Sequence, residues 1–356
     1  MVKTKQKYWL IVVFLVFILY VFIGAQPIPV ETILTSQWLR SLESDYPDFE
    51  DPGVLIPFEL GGRFGYVGTR GDFTLNRVAQ GYVSLSPEAW AEYQALPESL
   101  DIRDPQNIPI ITIKNSRGYP KFLDGRIFII NHEQMSLSLV DESGTIQWTH
   151  DFASPLTYMD AAAGLVLTGS LDGTVELLDG GGGLVFPPYE PGGSRYSVIL
   201  GCRISQDGSK LAIVSGIDPQ RFLLLERFGD SYKVIYHEFL SEGFRREVHL
   251  AFIDNDRRIV FERKGGLGIY TIQTRESLYL PLKGDIYAID GSGNDGLLFI
   301  IIAESELRKN LVVVRLPGTK IIEAPFTSQT AFLGRQGSQI FIGGGTTMAS
   351  FELDKK

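Results

Sequence analysis

An internal repeat limits the folds open to this 356-residue chain more than any other property of its sequence. Residues 124–148 align with residues 162–186 at an offset of 38 positions. The matching positions are Asp141 with Asp179, Gly144 with Gly182, Trp148 with Phe186, and the apolar run Ile127–Ile130 with Leu165–Thr168. Each segment predicts a strand, a turn, a second strand, an Asp/Gly turn and a third strand that ends in an aromatic residue. The chain is therefore expected to be built from a series of small sheets.

Repeats of about 40 residues with this content are typical of β-propeller blades, which are four-stranded sheets packed around a central axis. Counting the two aligned segments and the more diverged units, the blades are expected to begin near residues 54, 117, 155, 196, 245, 283 and 328. This spacing predicts an all-β propeller of seven blades over residues 54–356, with six and eight blades as alternatives. Because the last unit, residues 328–354, offers only three strand-like runs, we expect a strand within residues 54–60 to complete it and close the ring.

Two turns resemble those of known propeller families. The segment Asp141–Trp148 resembles the Asp…Gly…Trp turn of quinoprotein-like (PQQ) repeats, and Ser205–Ala212 resembles the turn of WD40-like bacterial propellers. The resemblance implies a propeller fold for most of residues 54–354. It implies no cofactor, because most units lack the tryptophan of the PQQ-like repeat. The residues expected to be structural in the blade turns are Asp141, Gly144, Trp148, Asp179, Gly182, Phe186, Asp207 and Gly208.

The N-terminal region predicts a membrane anchor. Residues 8–25 are an uncharged, apolar run that, as a helix, is just long enough to cross a bilayer core of about 30 Å. Three lysines precede this run, and the positive-inside rule then places residues 1–7 in the cytoplasm and the propeller outside it. We therefore expect a single-pass protein of a bacterial inner (cytoplasmic) membrane with a periplasmic propeller. A signal peptide cleaved after residues 23–25 is the alternative, although the apolar run is longer than a usual signal-peptide core.

Residues 26–53 predict a juxtamembrane helix followed by a linker. The apolar residues between Glu31 and Ser44 fall on one stripe of a helix. Two prolines, Pro27 and Pro29, separate this helix from the membrane segment. Packing on the side of the propeller, lying on the membrane and binding a partner are the three roles open to it.

A second helix is expected in an insertion at residues 86–107, between the first two units. Ser86 would be its N-cap and Pro87 would occupy its first turn. Trp90 and Tyr93 then share one helical face, and this pair is the candidate partner-binding site. Packing of the two aromatic rings on a blade edge is the alternative.

The residue content argues against several functional classes. With 33 basic and 42 acidic residues, the chain has a net charge of −9, so we expect no nucleic-acid partner. Its single cysteine, Cys202, excludes an internal disulfide, and its four histidines form no metal-ligand pair, so no metal is expected. In residues 290–296, oxygen-bearing side chains occur at alternate positions, as in a calcium-binding loop. However, Ile301 occupies the position where such a loop needs an acidic residue. The sequence contains no motif for catalysis or for a cofactor.

These observations favour a non-catalytic, membrane-tethered propeller that acts outside the cytoplasm as an interaction or assembly platform for an envelope protein. Such a protein is similar in fold to the propeller subunit of outer-membrane assembly machinery, and the comparison extends to the fold alone. The alternative is an extracytoplasmic enzyme, a hydrolase, lyase or oxidoreductase, with its site at the propeller channel. Acids and histidines that converge at one channel mouth with perturbed pKa values would favour the enzyme.

Overall fold

The computed structural model describes residue 9 and residues 12–20, 32–44, 53–114, 116–240 and 243–355. The chain divides into two compact units, residues 36–352 and residues 1–35 with 353–356. Residue 9 and residues 12–20 are helical. Within the described residues, no helix is both long and apolar enough to cross a membrane. The predicted anchor, residues 8–25, lies only partly among them, and the predicted tail (1–7) and the segments 26–31 and 45–52 lie outside them.

The described residues form thirty strands in eight sheets, which we call blades 1 to 8. The first strand, β1 (Thr32–Ser41), belongs to blade 8. Blades 1 to 4 consist of β2 (Leu55–Leu60), β3 (Arg63–Gly68) and β4 (Phe73–Val78); β5 (Tyr82–Leu85), β6 (Trp90–Tyr93), β7 (Ser99–Arg103) and β8 (Pro109–Lys114); β9 (Gly118–Leu123), β10 (Arg126–Asn131), β11 (Ser136–Val140) and β12 (Ile146–Asp151); and β13 (Leu156–Ala162), β14 (Leu165–Ser170) and β15 (Val175–Leu178).

The remaining blades have four strands each, and neighbouring strands in every blade are antiparallel. Blades 5 to 8 consist of β16 (Tyr196–Ile204), β17 (Lys210–Ile217), β18 (Gln220–Phe228) and β19 (Ser231–Leu240); β20 (Leu250–Ile253), β21 (Arg258–Arg263), β22 (Gly266–Thr271) and β23 (Glu276–Pro281); β24 (Asp285–Asp290), β25 (Leu297–Ala303), β26 (Arg308–Arg315) and β27 (Thr319–Thr327); and β28 (Ala331–Gln336), β29 (Gln339–Gly344) and β30 (Thr347–Lys355) with β1.

The sequence of each strand matches its place in the blade. A central strand such as β25 is a continuous apolar run, because the neighbouring blades cover both of its faces. An outermost strand such as β23 instead exposes five of its six residues, because no neighbouring strand covers its outer edge. The blade interiors are therefore specified by continuous apolar runs, such as Ile127–Ile130 and Leu297–Ala303, rather than by strict alternation.

The hydrophobic core consists of clusters that two neighbouring blades share. Between blades 5 and 6, Phe222 stacks on Phe261 with ring centroids 4.1 Å apart, and Tyr236 stacks on Tyr270 at 4.0 Å. Similar clusters join blades 1 and 2, 2 and 3, 3 and 4, 4 and 5, 6 and 7, and 8 and 1. Since β28 of blade 8 contacts β2 of blade 1, the blades of the unit 36–352 form a closed ring with their first strands on the inside.

The ring is closed by β1, which pairs with β30 at the outer edge of blade 8. Near the start of β1, the Thr35 hydroxyl donates a hydrogen bond to the Asp354 carboxylate at 2.7 Å. Further along the strand, the indole N–H of Trp38 donates to the Thr69 carbonyl oxygen in blade 1 at 3.1 Å. The last blade is thus completed by the first described strand, which also contacts the next blade.

The structure confirms the propeller and corrects its blade count. Eight blades are present, which was an alternative to the preferred seven. The additional one is blade 2, and it contains the residues predicted as a helical insertion, 86–107. Ser86 does not cap a helix: its hydroxyl oxygen accepts the Ala89 N–H at 3.0 Å in the turn between β5 and β6. A Ser-Pro sequence starts a tight turn as readily as it starts a helix.

The expectation of a juxtamembrane helix is also wrong where the chain is described. Residues 32–41 are a strand, and this strand, not residues 54–60, completes the last blade. Residues 55–60 form β2, the first strand of blade 1. The helical spacing of apolar residues did not decide the structure, because pairing with a strand at the other end of the chain overrides local preference.

Candidate functional site

The predicted turn residues of blade 3 lie between its third and fourth strands. The Asp141 carboxylate accepts hydrogen bonds from the hydroxyl of Ser143 at 2.6 Å and from the backbone N–H groups of Ser143 and Thr145 at 2.8 and 2.9 Å. The Ser143 hydroxyl, together with these backbone bonds, lowers the pKa of Asp141. Gly144 follows with a φ of 84°, a conformation that favours glycine.

Asp179 and Gly182 build the same turn in blade 4. The Asp179 carboxylate accepts the Gly181 N–H at 2.8 Å, and Gly182 has a φ of 82°. Trp148, on the outermost strand of blade 3, packs on this turn and donates its indole N–H to the Gly180 carbonyl oxygen at 3.0 Å. A Cβ atom at Gly182 would lie only 2.7 Å from the indole ring. Trp148 therefore couples blade 3 to blade 4.

Phe186 and the turn at Asp207–Gly208 make the corresponding contact between blades 4 and 5. The Phe186 ring lies 5.5 Å from that of Tyr232, whose hydroxyl donates to the Gly208 carbonyl oxygen at 2.6 Å. The Asp207 carboxylate accepts hydrogen bonds from the Ser205 hydroxyl at 2.7 Å and the Ser209 N–H at 2.9 Å, and these bonds lower its pKa to about 2. All eight predicted turn residues therefore make turn or interblade contacts.

Trp90 and Tyr93, the candidate partner-binding pair, lie on β6 in blade 2. Trp90 is 2% exposed, packs on Phe64 with ring centroids 5.2 Å apart, and donates its indole N–H to the Asp104 carbonyl oxygen at 2.8 Å. Tyr93 is half-buried and stacks on Tyr82 at 6.0 Å. These contacts close the Trp90 ring off from a partner, whereas binding through Tyr93 stays a prediction.

A cavity of about 1030 Å³ lies on the inner side of blades 3 to 6. Its walls are the first strands β9, β13 and β16 and the segment that precedes β20. Its charged and tyrosine lining residues are Tyr119, Lys121, Tyr158, Tyr196, Arg203, Arg245, Arg246 and Glu247. A second cavity of about 440 Å³ shares Tyr158, Arg203 and Glu247 with the first and therefore adjoins it.

The strands that line the larger cavity are irregular. Register shifts interrupt β13 between Leu156 and Tyr158, and β16 at two places between Tyr196 and Gly201. Such bulges change the direction of side chains and are frequent beside binding sites. At the start of β16, Tyr196 is left 54% exposed at the cavity wall.

Arg203 on β16 is held in one orientation where the two cavities adjoin. Its Nε donates to the Leu250 carbonyl oxygen at 3.0 Å, and its Nη1 lies 3.4 Å from Oδ1 of Asp160. The guanidinium carbon lies 5.0 Å from the centroid of the Tyr158 ring, and burial raises the pKa of that tyrosine, so its hydroxyl stays neutral. One third of the Arg203 side chain remains exposed, which leaves a fixed positive charge at the cavity wall.

Acidic side chains and a histidine also approach this region. Glu262, which is 1% exposed, accepts two hydrogen bonds from Arg246 at 2.9 and 2.7 Å and a third from the His249 backbone N–H at 3.1 Å. Burial lowers the pKa of His249, so its ring is neutral at pH 7. Asp160 accepts the Ile204 N–H at 2.9 Å besides its ion pair. Because both carboxylates are engaged, the arrangement fits binding better than acid–base catalysis.

Other chemistry has little support in the described part of the chain. There, no group of three or more His, Cys, Asp or Glu side chains could hold a metal ion. Cys202 is buried on β16, and burial raises the pKa of its thiol well above the ordinary value, so the thiol is unreactive.

The sequence does not predict the cavity, because its lining residues come from four blades and follow no fixed spacing. One signal could have found part of it. Tyr119, Tyr158 and Tyr196 each fall within the first few residues of a predicted unit, near positions 117, 155 and 196. First strands line the central axis of a propeller, so aromatic residues at these positions predict an aromatic channel wall.

A closed ring of eight small antiparallel sheets, with a polar cavity on its inner strands, defines the class of β-propellers. The chain belongs to a family described as beta-propeller protein, which matches residues 1–355. A relative from Treponema pallidum (strain Nichols), described as an uncharacterized protein, is 25% identical over 352 residues. The match covers 96% of this chain and 92% of the relative.

Solved structures resemble this chain in fold at low sequence identity. BamB from Moraxella catarrhalis is 13% identical with a TM-score of 0.59, covering 90% of this chain and 100% of BamB. The computationally designed Ika8 protein is 13% identical with a TM-score of 0.63, covering 84% and 93%. Dihydro-heme d1 dehydrogenase NirN in complex with DHE is 12% identical with a TM-score of 0.52, covering 72% and 58%. At these identities the likeness shows the fold alone.

Proposed function

We propose that this chain is a non-catalytic, membrane-tethered β-propeller that binds an envelope protein outside the cytoplasm. The observation that carries the proposal is the cavity on the inner strands of blades 3 to 6. Its wall combines tyrosine rings with a positioned arginine, Arg203. Tyrosine and arginine are enriched among the residues that dominate protein–protein binding energy, because each offers a large contact area together with directional hydrogen bonds.

A rigid ring suits this role. Shared apolar clusters couple seven of the neighbouring pairs of blades in the described part of the chain. Trp148 and Phe186 add contacts from blade 3 to a turn of blade 4 and from blade 4 to Tyr232 of blade 5. A binding surface built on such a scaffold loses little conformational entropy when a partner docks. The catalytic alternative draws support only from His249 and the nearby acids, and two of those acids, Asp160 and Glu262, are already hydrogen-bonded.

The membrane tether rests on the sequence. Residues 8–25 are uncharged and apolar, and Lys3, Lys5 and Lys7 precede them. Within this segment, the side chains of Phe14, Phe17 and Tyr20 are each at least 60% exposed. Exposed apolar side chains on this scale are stable in lipid rather than in water. The proposed location is the periplasmic face of the inner membrane.

Site-specific photocrosslinking in the native membrane tests the binding role. A benzoylphenylalanine residue replaces Tyr196 at the cavity wall in one variant and Tyr279 on the outer strand β23 in the control. We expect position 196, and not position 279, to crosslink one dominant envelope protein, which mass spectrometry identifies. Crosslinks only within the chain would contradict the proposal and would direct attention to a small ligand.

A second experiment tests the location. Alkaline carbonate extraction should leave the full chain in the membrane pellet, and a protease added to spheroplasts should digest the propeller. Release of the intact chain by carbonate would contradict the tether. Protection of the propeller in spheroplasts, with digestion only after lysis, would contradict the periplasmic location.

A further inference from the structure

The two adjoining cavities differ from the rest of the molecule in their charge. The chain as a whole carries a net charge of −9. The larger cavity is nevertheless lined by four cationic side chains and a single acid, Glu247. Two of the cations, Arg203 and Arg246, pair with Asp160 and Glu262 behind the wall. The exposed pair Lys121 and Arg245 therefore leaves the cavity with a positive excess that attracts an anionic ligand.

Arg203 supplies the donors that would recognise a carboxylate. A guanidinium has five N–H groups. The structure assigns one of them, on Nε, to the Leu250 carbonyl oxygen, and the Nη1 contact with Asp160 is long at 3.4 Å. The side chain is one third exposed and lines both cavities, which leaves its remaining donors for a ligand. Since the stem is fixed by these contacts and by the face of Tyr158, little side-chain entropy is lost when a carboxylate binds.

The shape of the site indicates an extended ligand rather than a compact one. The larger cavity, at about 1030 Å³, is at the upper limit of ordinary small-molecule pockets, and the second cavity of about 440 Å³ continues it past Arg203. Three of the walls, β9, β13 and β16, are edge strands of their sheets. Edge strands present backbone N–H and C=O groups that can pair with an extended peptide.

We infer that the cavity binds an acidic peptide segment of a partner protein in extended form, with one carboxylate on Arg203 and neighbouring side chains against Tyr158 and Tyr196. The inference rests on the proposed binding function and names the partner's chemistry. An acidic segment follows from the charge of the lining, and a peptide rather than a small acid follows from the length of the joined cavities and their edge-strand walls.

Peptide binding to the full-length protein in detergent micelles provides the test. The probes are two fluorescein-labelled pools of capped decapeptides that are identical except at positions four and six. These positions carry Asp or Glu in one pool and Asn or Gln in the other. Fluorescence anisotropy should give at least tenfold tighter binding of the acidic pool, and this preference should weaken as salt is raised. Equal binding of the two pools would overturn the inference.

Variants locate the binding and guard against misfolding. Arg245→Ala and Tyr196→Ala change exposed side chains at the cavity wall, and each should weaken binding of the acidic pool about tenfold. Their matched controls, Lys233→Ala and Tyr279→Ala, change exposed residues on outer strands and should leave binding within about twofold. Arg203→Gln should abolish the preference for acid over amide. An Arg245→Ala variant that binds as tightly as Lys233→Ala would overturn the inference.

A final arm separates a peptide from a free acid. Glutarate, a small dicarboxylate, should displace the acidic pool only at millimolar concentration. Displacement at micromolar concentration would identify a small-molecule site and overturn the peptide inference. If photocrosslinking from position 196 captures a partner while the acidic pool fails to bind, only the present inference fails. If neither experiment detects binding, the proposed function fails as well.

Discussion

Replacing Gly182 by alanine would show how strongly adjacent blades depend on the contact between Trp148 and the next turn. The residue has a φ of 82°, and forcing an L-residue into this conformation costs about 1–2 kcal/mol. The new Cβ atom would lie 2.7 Å from the indole, so the ring must move and its hydrogen bond to the Gly180 carbonyl oxygen is lost, at about 0.5–1.5 kcal/mol net. We therefore expect Gly182→Ala to lower the free energy of unfolding by about 1.5–3.5 kcal/mol.

Two other glycines separate these contributions. Gly125 has a φ of 66°, but no atom lies within 4 Å of a Cβ placed there, so Gly125→Ala carries the backbone cost alone. Gly180→Ala carries neither cost, since its nearest neighbour would be 3.7 Å away. Urea unfolding, followed by circular dichroism and by tryptophan fluorescence, measures all three variants. The expected order of destabilisation is Gly182→Ala, then Gly125→Ala, then Gly180→Ala, with the last within about 0.5 kcal/mol of the parent.

The reasoning would be refuted if Gly182→Ala and Gly125→Ala were equally destabilised. That result would mean that the Trp148 ring moves aside at no cost and that blades 3 and 4 are not coupled through it. A check on the same point is Trp148→Phe, which keeps most of the ring and removes the indole N–H. It should cost about 0.5–1.5 kcal/mol, and it should make the effect of Gly182→Ala smaller in the double variant.

Three further changes test other parts of the ring. Asp207 has a pKa of about 2 against an ordinary 3.8, so its contribution to stability is present above pH 3.8 and is lost as the pH falls towards 2. In that window the urea midpoint of unfolding should depend less on pH in Asp207→Asn than in the parent. The same pH dependence in both proteins would contradict this. Trp90→Ala should cost about 3–5 kcal/mol because the ring is in the core, whereas Tyr82→Ala, at an exposed position, loses its stacking on Tyr93 and should cost about 0.5–1.5 kcal/mol. Trp38→Ala removes a contact between β1 and blade 1, so β30 (Thr347–Lys355), the partner of β1, should exchange its amide hydrogens faster, as measured by mass spectrometry. Unchanged protection of β30 would show that Trp38 does not hold the ring closed.

The propeller could be predicted from the sequence where local chemistry repeats. Asp141 and Asp179 each accept hydrogen bonds from N–H groups of their own turn. A few adjacent residues therefore determine the turn, and the same short motif recurs in the sequence. Blades 3 and 4 could be located for this reason, and the spacing of other turn-and-strand units located five more. The sequence does not predict blade 2, because Ser86-Pro87 is a good helix start. In the structure the same dipeptide begins a hairpin turn.

Features that depend on distant pairing could not be predicted. The sequence predicts a helix where the structure has β1. The partner of β1 is β30, at the far end of the chain, and the spacing of apolar residues within a dozen positions carries no information about that pairing. The candidate site has the same property. Arg203 faces Asp160 and Leu250, which belong to two other blades, and only the order and closure of the ring bring them together.

The strand that closes the ring also sets when the protein can finish folding during its synthesis. Thr35 and Asp354, which are bonded across blade 8, are 319 positions apart in the chain. At a translation rate of roughly 5–20 residues per second, β1 waits roughly 15–60 s for its partner after leaving the ribosome. Throughout that interval it is a bare strand with an open edge, which favours pairing with the wrong chain. A ribosome that stops within β30 would therefore release a propeller whose last blade is incomplete and whose first strand, β1, has no partner.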